Sequence, residues 1–438
     1  MMRLTANWRR GAIWPALWLV FGLPFALPAQ VGSLTVVTYN MLNFSNNSSS
    51  NARIEHFKMV LSELAPDILV AQEVASQAGA DLILSDILQT FSLEYEAGEF
   101  FDEGSHNNAV FYRRDRVGID SIIAINTDLR DINGYVFSIN DHADPAFRWT
   151  LFATHLKAGN PVFDANDAHR RWLEVARLQS YIASQDSNYH YGFAGDFNVY
   201  TAAEAAYTLL MDSMAITLVD PIDDRGAWHN NSAYAGIHTQ STCVNQTGCV
   251  GSNGGMDDRF DFILLSHQMI GGQFPLTYVE GSYEAYGNDG QHFNKNITDN
   301  PQNQGIPNGM ADALFGASDH LPVILQLSYP ATGNTVDILA YGERLPNRPQ
   351  LLGNYPNPFN PTSTIRFDLP EAVNLELAIY NLRGRTIVRL IDGQLPAGNH
   401  RAVWDGRDRF GRQVPSGIYI ARLVTPGFTK SIKMILLK

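Results

Sequence analysis

Apolar positions along the chain recur with two different periods. Between residues 30 and 330, short runs rich in β-branched and aromatic residues predict strands at 33–42, 66–74, 107–113, 148–156, 189–197, 258–266 and 321–329. Segments 52–64 and 167–184 instead have apolar residues at i, i+3 and i+4, which predicts amphipathic helices. Strands mixed with helices indicate an α/β region built either as two packed sheets or as one sheet covered by helices.

The second predicted helix has a clear apolar stripe. We expect its buried face to consist of Trp172, Leu173, Val175, Ala176, Leu178 and Ile182.

The pattern changes after residue 330. Residues 331–350 have no clear period and are interpreted as a linker. The Asn-Pro and Pro-Asn pairs of NYPNPFNP exclude a helix or a central strand there. The short strand-like segments that follow, separated by turn signals such as LPAGN and VPSG, predict a small all-β sandwich over residues 351–438.

The first 29 residues differ from the rest of the chain. A basic start, an apolar run and a small-residue end are typical of a secretory signal peptide, with a retained membrane anchor as the alternative. No later stretch approaches the roughly 20 apolar residues of a membrane-spanning helix, so no stable anchor is expected after cleavage. We therefore expect a secreted or cell-surface protein with a disulfide between Cys243 and Cys249.

Charge is distributed unevenly between the two predicted domains. Residues 30–330 contain 36 acidic and 14 basic residues, whereas residues 351–438 contain 6 acidic and 12 basic residues. A domain with a net charge of −22 is poorly suited to broad, salt-driven binding of a polyanion. A phosphate-bearing substrate would have to be bound by a metal ion and a few local donors.

Polar residues stand at the ends of the apolar strands in region 30–330. The residues concerned are Asn40, Glu73, His155, Lys157, Asp196, Asn198, Asp261, Asp319 and His320. They include metal ligands, acid–base groups and oxygen donors, and strand-end loops on a rigid sheet commonly carry catalysis. The pattern therefore predicts one active site.

These motifs resemble the endonuclease/exonuclease/phosphatase superfamily, to which pancreatic deoxyribonuclease, abasic-site endonucleases, neutral sphingomyelinases and inositol polyphosphate phosphatases belong. The resemblance rests on GDFN (195–198) and SDH (318–320), supported by the Glu of AQEV, the TH of FATHL and the DFIL strand. It covers about 300 residues. It implies a four-layered α/β/β/α sandwich and metal-dependent hydrolysis of phosphate esters.

The resemblance and the chemistry of phosphodiester hydrolysis together suggest the metal ligands. Glu73 is expected to hold Mg²⁺ or Mn²⁺, with Ca²⁺ as a further possibility. Asn40 is expected beside the ion as a neutral ligand or orienting group, and Asp319 on the same side. Asn40 as a buried amide and Glu73 as the partner of an arginine are the competing interpretations.

The remaining roles concern proton transfer and phosphate binding. Asp196 and Asn198 would share one face of an extended segment, and Asp261 would fix the tautomer of His320. His155 is expected to be a general acid or phosphate donor with a pKa near the working pH, unless it is a core histidine. The candidate phosphate-binding cations are Lys157, Arg148, Arg113 and Arg259. Asp257 and Asp258 are interpreted as turn residues, and His238 as a pocket or loop residue.

The C-terminal region resembles the sorting domains of the type IX secretion pathway and the immunoglobulin-like domain of the flagellar hook-assembly protein. The resemblance rests on NYPNPFNP, the WDG turn and SGIY followed by a basic end. It implies export from a Gram-negative-type bacterium by outer-membrane secretion machinery. An inert stalk is the alternative interpretation.

The sequence thus favours a secreted nuclease that acts on DNA or RNA. A phospholipid or sphingomyelin phosphodiesterase, or a phosphatase of the same fold, is the alternative within enzymes, and an inactive binding protein is the alternative outside them. The segment 271–316 is expected to stack bases on its aromatic residues, which are Phe274, Tyr278, Tyr283, Tyr286 and Phe293.

Overall fold

The computed structural model describes residues 30–438 except 105, 161–163, 186–188, 213–217, 246–249, 271–274, 333–348, 356–358, 360, 362, 371, 396–397 and 438. The predicted signal peptide, most of the predicted linker, Cys249 and Phe274 lie outside the described residues. The Cys243–Cys249 disulfide therefore stays a prediction. Within the described ranges, no helix has the length and apolar character needed to cross a membrane.

Region 30–331 contains thirteen strands and six α-helices among its described residues. The strands are β1 Gln30–Phe44, β2 Ile68–Val74, β3 Tyr95–Ala97, β4 Asn107–Arg113, β5 Val117–Ile125, β6 Ile132–Ile139, β7 Trp149–His155, β8 Tyr191–Asp196, β9 Leu218–Val219, β10 Asp261–Ser266, β11 Thr277–Tyr278, β12 Glu284–Ala285 and β13 Val323–Ala331. The helices are α1 Ser48–Asn51, α2 Ile54–Leu64, α3 Gln77–Leu82, α4 Ala165–Ile182, α5 Ala205–Asp212 and α6 Met310–Ala317. Short helical turns occupy Ile83–Ile87, Leu88–Thr90, Ser232–Ile237 and His267–Met269.

The strands form two mixed sheets. The first has the order β11-β13-β1-β2-β4-β3, with β12 also paired to β13, and the second has the order β5-β6-β7-β8-β10-β9. The pairs β1/β2 and β7/β8 are parallel, whereas the other pairs within these sheets are antiparallel.

Three apolar cores define the layers. Alternating residues of the two sheets, such as Val36 and Ile68 facing Tyr135 and Leu151, pack against each other. The other face of the first sheet is covered by α2 and α6, through residues that include Phe57 and Leu314. The other face of the second sheet is covered by α4 and α5, through residues that include Leu178 and Leu210. This arrangement confirms the predicted four-layered α/β/β/α sandwich.

Helix α4 differs from its predicted packing. It begins after Asp164, whose side chain accepts a hydrogen bond from the Asn166 backbone N–H. Leu173 is 37% exposed, whereas Arg171 and Glu174 are buried. The two charged residues are tolerated inside because they bind polar groups of the neighbouring segments. Arg171 pairs with Glu204, and a Glu174 oxygen accepts the backbone N–H of Lys157.

The described residues of the C-terminal region form strands joined by turns and loops. Its strands are β14 Gln350–Tyr355, β15 Ser363–Leu369, β16 Val373–Asn381, β17 Thr386–Leu395, β18 Gly398–Trp404, β19 Gly417–Thr425 and β20 Phe428–Leu436. They form one sheet of order β14-β15-β18 and another of order β17-β16-β19-β20. Residues including Phe367, Leu377 and Trp404 belong to one buried cluster shared by both sheets. The predicted all-β sandwich is confirmed.

Candidate active site

The layer between the two sheets becomes polar at one edge. Along a strand, residues two positions apart face the same side of the sheet. A polar residue two or four positions after a residue of the core between the sheets therefore also faces into that layer. At this edge the inward-facing residues are Asn40 in β1, His155 in β7, Asp196 in β8 and Asp261 in β10. All four are at least 97% buried. Four strands from two sheets therefore deliver polar side chains to one place.

Glu73 reaches this place through an unusual backbone conformation. It lies near the end of β2 with φ of 55°, a left-handed value that is uncommon for a residue with a side chain. Its Oε2 accepts the backbone N–H of Asn43, and its Oε1 accepts from the Asn40 amide. In the described part of the chain no arginine forms an ion pair with Glu73. Strained backbone of this kind is concentrated at functional sites.

Asn40 orients the two carboxylates. Its Nδ2 donates to Glu73 Oε1 and to Asp196 Oδ2, both at 3.1 Å. Its Oδ1 accepts the Leu42 backbone N–H at 2.9 Å. One lone pair of the amide oxygen is thus occupied, and the amide nitrogen faces the two carboxylates, so the arrangement favours the orienting role over that of a metal ligand.

Glu73, His155 and Asp196 form a candidate metal-binding group. Each offers one ligand atom, and these atoms all lie within 4.8 Å of one another. His155 Nε2 is 3.6 Å from Asp196 Oδ2 and 4.0 Å from Glu73 Oε1, and this buried nitrogen has no hydrogen-bond partner. Two carboxylates and one imidazole fit a divalent cation, and the nitrogen ligand suits Mn²⁺ better than Mg²⁺.

His155 is neutral in this environment. Burial, reinforced by the positive charge of Arg130, lowers the pKa of His155 well below its usual value. A neutral imidazole has a lone pair for a metal ion but is a poor proton donor. The structure therefore supports a ligand role for His155 in place of the general acid with a pKa near the working pH.

His320 is the charged histidine of the site. Its Nδ1 lies 2.8 Å from Asp261 Oδ2, which agrees with the predicted pairing. Burial opposes the charged form, but the carboxylates of Asp261, Asp196 and Asp319 outweigh it and raise the pKa of His320 well above its usual value. The side-chain amide of Gln240 lies 2.6 Å from His320 Nε2. An imidazolium donates at both nitrogens, so the amide accepts from Nε2 through its oxygen when His320 is charged.

Asp196 and Asn198 meet through a turn. Strand β8 ends at Asp196, and Asn198 has φ of 51°, so the predicted extended geometry does not occur. The Asn198 backbone N–H donates to Asp196 Oδ1 at 3.0 Å. Gly195 is required before this turn because it has φ of 149° and a Cβ would lie 1.9 Å from the Thr154 carbonyl oxygen. Burial raises the pKa of Asp196 to about 7.

Asp319 does not join the candidate metal group. Its Oδ2 accepts the Ser252 backbone N–H at 2.7 Å, and a Cβ at Gly251 would lie 2.4 Å from the same oxygen. The carboxylate is thus packed against the loop at 251–252. Its negative charge acts on the site by raising the pKa of His320.

The predicted phosphate-binding cations Lys157 and Arg148 have other partners. Lys157 Nζ lies 2.9 Å from Asp167 Oδ1. Arg148 precedes β7 and pairs with Asp120. Seven residues of extended chain separate it from His155, about 23 Å at 3.3 Å per residue. Arg148 therefore lies at the opposite edge of the sheet and is not part of the site.

Arg113 and Arg259 are also unavailable. Arg113 ends β4 beside Asp67, at the end of the first sheet opposite Glu73, and pairs with Asp115. Arg259 is fully buried, and its two terminal nitrogens contact the two oxygens of Asp220 at 2.7 and 3.0 Å. Arg259 thus has a structural role.

The Arg259–Asp220 pair leads to a prediction about stability. We expect Asp220→Asn to lower the free energy of unfolding by about 3 kcal/mol, because it leaves a buried guanidinium without its counter-charge. Urea unfolding measures the change. Asp120→Asn removes the exposed partner of Arg148 and should cost less than about 1 kcal/mol. Equal effects of the two variants would contradict a structural role for the buried pair.

Arg130 is a site residue that the sequence did not reveal. Its Nε and Nη2 donate to the backbone carbonyls of His155 and Leu156, both at 2.8 Å. Burial lowers its pKa, against the opposing effect of the Glu174, Asp196 and Glu73 carboxylates. The residue lies in the polar turn between β5 and β6, where no periodic pattern distinguishes it. It fixes the end of β7 and adds positive charge behind His155.

Two buried amides were also missed. Asn108 in β4 and Asn133 in β6 alternate with the inner-core residues Val110 and Tyr135, so they face the layer between the sheets. The Oδ1 atoms of both are buried without a hydrogen-bond partner. Unsatisfied buried amides beside a polar cluster are consistent with contacts to a ligand or water.

The aromatic residues of segment 271–316 do not form a stacking surface in the described residues. Tyr278 and Tyr286 are buried, and the Tyr283 hydroxyl accepts from Arg259. Phe293 is half-buried and its ring packs near that of His238. His238 is itself buried, with its ring nitrogens facing the carbonyls of Trp228 and Met256. These residues stabilise the loops.

Asp257 and Asp258 are more than turn residues. Asp258 is buried, and its Oδ1 lies 2.7 Å from His229 Nδ1. Ligand atoms of His229, Asp257 and Asp258 lie within 4.8 Å of one another. The cluster adjoins the site through backbone hydrogen bonds between Asp258 and Gln240.

Comparison with known proteins gives two family matches. Residues 37–320 match the model of the Endonuclease/Exonuclease/phosphatase family, and residues 357–425 match that of the FlgD Ig-like domain. No curated protein matches the chain. The first match contains every residue of the polar cluster.

Several solved structures are similar to the chain. Danio rerio TDP2 complexed with single strand DNA product has a TM-score of 0.46 and 16% identity, over 67% of this chain and 98% of that one. The human nocturnin catalytic domain with bound sulfate has a TM-score of 0.43 and 16% identity, over 69% and 97%. An endonuclease/exonuclease/phosphatase from Bacteroides vulgatus has a TM-score of 0.43 and 17% identity, over 68% and 98%.

Proposed function

The chain belongs to the endonuclease/exonuclease/phosphatase family and carries a C-terminal FlgD Ig-like domain, and from this we propose that it is a divalent-metal-dependent phosphodiesterase acting on nucleic acid. The observation that supports the proposal is the buried group of Glu73, His155 and Asp196 beside the charged pair of His320 and Asp261. A hydrolase of phosphodiesters needs these components, which are a metal-binding group, a proton acceptor and a cationic donor.

Glu73 and His155 would hold the metal ion, with Asn40 keeping the carboxylates in place. A bound divalent cation would neutralise negative charge on the phosphoryl oxygens. The Nε2 of His155 is buried without a partner among the described residues, and its lone pair faces two carboxylates. A cation bound between these three groups would satisfy the lone pair and neutralise the carboxylates. The same feature argues against a protein that keeps only the fold.

Asp196 and His320 would carry the proton and the charge. Asp196 would accept a proton from the attacking water, because its Oδ2 lies between the two histidines, 3.6 Å from His155 Nε2 and 3.9 Å from His320 Nε2. His320 would donate its Nε2–H to a phosphoryl oxygen in place of the Gln240 amide, which lies 2.6 Å from that nitrogen, and so stabilise the charge that develops on the phosphate. Asp261 holds His320 in the orientation that directs Nε2 towards Asp196, at a distance of 3.9 Å.

The exposed residues of region 30–331 favour a nucleic-acid substrate over a lipid substrate. A lipid phosphodiesterase would present a group of exposed apolar residues to the membrane interface. In the described part of region 30–331 the exposed large apolar residues are few, at Val31, Met59, Leu93, Leu129 and Leu173. Leu129 and Leu173 share one cavity, but they lie there with the charged residues Asp128, Arg170 and Arg177 and do not form a wider apolar surface. Among the described aromatic residues of segment 271–316, Tyr278 and Tyr286 are buried, the Tyr283 hydroxyl bonds Arg259, and Phe293 is half-buried against His238.

A substrate panel tests the proposal. Purified protein would be incubated with DNA, RNA, sphingomyelin vesicles and bis-p-nitrophenyl phosphate, each with and without EDTA. We expect hydrolysis of a nucleic acid and of bis-p-nitrophenyl phosphate that stops with EDTA and returns with Mn²⁺ or Mg²⁺. Hydrolysis of sphingomyelin with no action on either nucleic acid would contradict the choice of substrate, and full activity in EDTA would contradict metal dependence.

Export is a further part of the proposal. We infer that the N-terminal segment directs secretion and that the C-terminal domain is recognised by outer-membrane secretion machinery. The family match of this domain and its positive charge, opposite to that of region 30–330, support a separate role.

Deletion of residues 351–438 tests this role. We expect the truncated protein to keep its hydrolytic activity when purified and to remain inside the cell envelope, because the active site lies wholly within region 30–331. Fractionation of producing cells, with activity measured in each fraction, checks both outcomes. Arrival of the truncated protein outside the cell would contradict a sorting role.

A further inference from the structure

Few cations of the acidic domain are free to bind a substrate. Region 30–330 contains 14 Lys and Arg residues. Eleven of them bond or ion-pair with other groups of the protein, namely Arg53, Lys58, Arg113, Arg114, Arg116, Arg130, Arg148, Lys157, Arg171, Arg225 and Arg259. Among the described residues, Arg170, Arg177 and Lys295 have no such partner.

Two of these three cations lie together on one helix. Arg170 and Arg177 are exposed on α4 and are seven residues apart, which is two helical turns or about 10 Å along the axis. Both line a cavity of about 180 Å³ between α4 and the loop at 127–129. Two guanidiniums that line one cavity, without a protein partner among the described residues, provide the charge and the donors that a phosphate group binds.

The cavity adjoins the active site. The loop that forms one wall continues directly into Arg130, which donates to the carbonyls of His155 and Leu156. The other wall includes Glu174, whose Oε2 accepts the backbone N–H of Lys157, two residues after His155. A strand of substrate leaving Asp196 and His155 on this side would therefore pass Arg130 and reach Arg170 and Arg177.

Acidic groups in the cavity do not cancel its positive character. Asp128 and Glu174 also line it. Burial raises the pKa of Glu174 to about 7, so this group is only partly ionised at neutral pH. Its Oε1 is buried without a partner and is able to donate to a phosphate oxygen when protonated.

We propose that Arg170 and Arg177 form a second phosphate-binding subsite, which binds the backbone of a nucleic-acid strand whose scissile phosphate lies at Glu73, His155 and Asp196. This inference rests on the proposed nuclease function and names the residues that bind its polymeric substrate. It replaces the four cations suggested by the sequence, all of which have other partners.

The double variant R170A/R177A tests the subsite. With a single-stranded 12-nucleotide substrate, removal of two phosphate contacts should raise KM and should reduce the magnitude of the log–log salt slope of kcat/KM by about 1.4. Wild-type kcat/KM should therefore fall about sevenfold more than that of the variant between 50 and 200 mM salt. Bis-p-nitrophenyl phosphate has one phosphate and cannot reach both positions, so its hydrolysis should be unchanged.

R114A/R148A is the matched control because it removes the same two charges. Arg148 lies at the opposite edge of the second sheet, and Arg114 pairs with Glu94 and Glu96. The control should keep the wild-type KM and salt slope.

Equal losses in the two double variants would attribute the effect to overall charge and overturn the subsite. A wild-type salt slope in R170A/R177A, with the oligonucleotide still hydrolysed, would overturn the subsite alone. Wild-type activity on bis-p-nitrophenyl phosphate but on no oligonucleotide would contradict the nuclease proposal itself.

Discussion

Replacing Glu73 by Gln is expected to lower kcat/KM by a factor of about 10³ or more. The change removes the anionic charge from the candidate metal group while keeping the volume of the side chain. Loss of charge stabilisation worth about 4 kcal/mol in the transition state corresponds to a factor of this size. The Glu73 oxygens also accept from Asn40 and Asn43, so an amide nitrogen must replace one of these acceptors.

The measurement combines hydrolysis with metal binding. Titration calorimetry with Mn²⁺ should show weaker binding to Glu73→Gln than to the wild type, independently of turnover. Glu55→Gln is the control, because Glu55 lies on the exposed face of α2 and pairs with Lys58. Thermal unfolding should show that both variants remain folded. Near-normal turnover of Glu73→Gln in saturating Mn²⁺ or Mg²⁺ would rule out its role as the anionic ligand.

His320→Ala is expected to lower kcat by about 10² to 10³, the range typical of losing one donor that stabilises charge in the transition state. His320 is buried and doubly hydrogen-bonded, so the loss concerns chemistry more than substrate binding. KM for bis-p-nitrophenyl phosphate should therefore change much less than kcat. An equal rise in KM with unchanged kcat would instead assign His320 to substrate binding.

Asp261→Asn tests whether the positive charge of His320 matters for activity, because the imidazole remains in place while its pKa changes. Because Asp261 raises the pKa of His320, the imidazolium of the wild type persists to a higher pH than in an ordinary histidine and is lost as pH rises through that raised pKa. Without the Asp261 carboxylate the pKa of His320 is lower, because burial is then opposed only by Asp196 and Asp319. The alkaline fall of kcat/KM should then move to lower pH.

Asp289→Asn provides the matched control for this pH profile. Asp289 lies 2.9 Å from Nδ1 of the buried His292, which reproduces the His–Asp geometry outside the polar cluster. This variant should keep the wild-type pH profile. A wild-type alkaline limb in Asp261→Asn would show that His320 does not depend on Asp261 for its charge.

The sequence by itself determined the elements and most members of the site. Apolar strand-like runs located β1, β7, β8 and β10, and the polar residue at the end of each run predicted one active site. The family motifs GDFN and SDH added the four-layered arrangement. These features are local, because apolar runs and strand ends depend only on neighbouring residues.

Only the tertiary structure decides which residues distant in the chain contact one another. Nothing in the composition distinguishes Arg170 and Arg177 from Arg148 or Arg259, because an arginine is free or occupied according to which carboxylate the fold brings beside it. The left-handed backbone of Glu73 and Asn198 likewise depends on the packing of both sheets. Arg130, 25 residues before His155, joined the site through backbone carbonyls that carry no sequence signal.

The charge states of the two site histidines also depend on the tertiary structure. Both end or precede an apolar strand, and both are buried. Burial lowers the pKa of each, but His155 faces Arg130 whereas His320 faces the Asp261 carboxylate. Through-space charge at a few ångströms therefore leaves one imidazole neutral and makes the other a cation, and only the fold, which brings Asp261 beside a histidine 59 positions later, determines which is which.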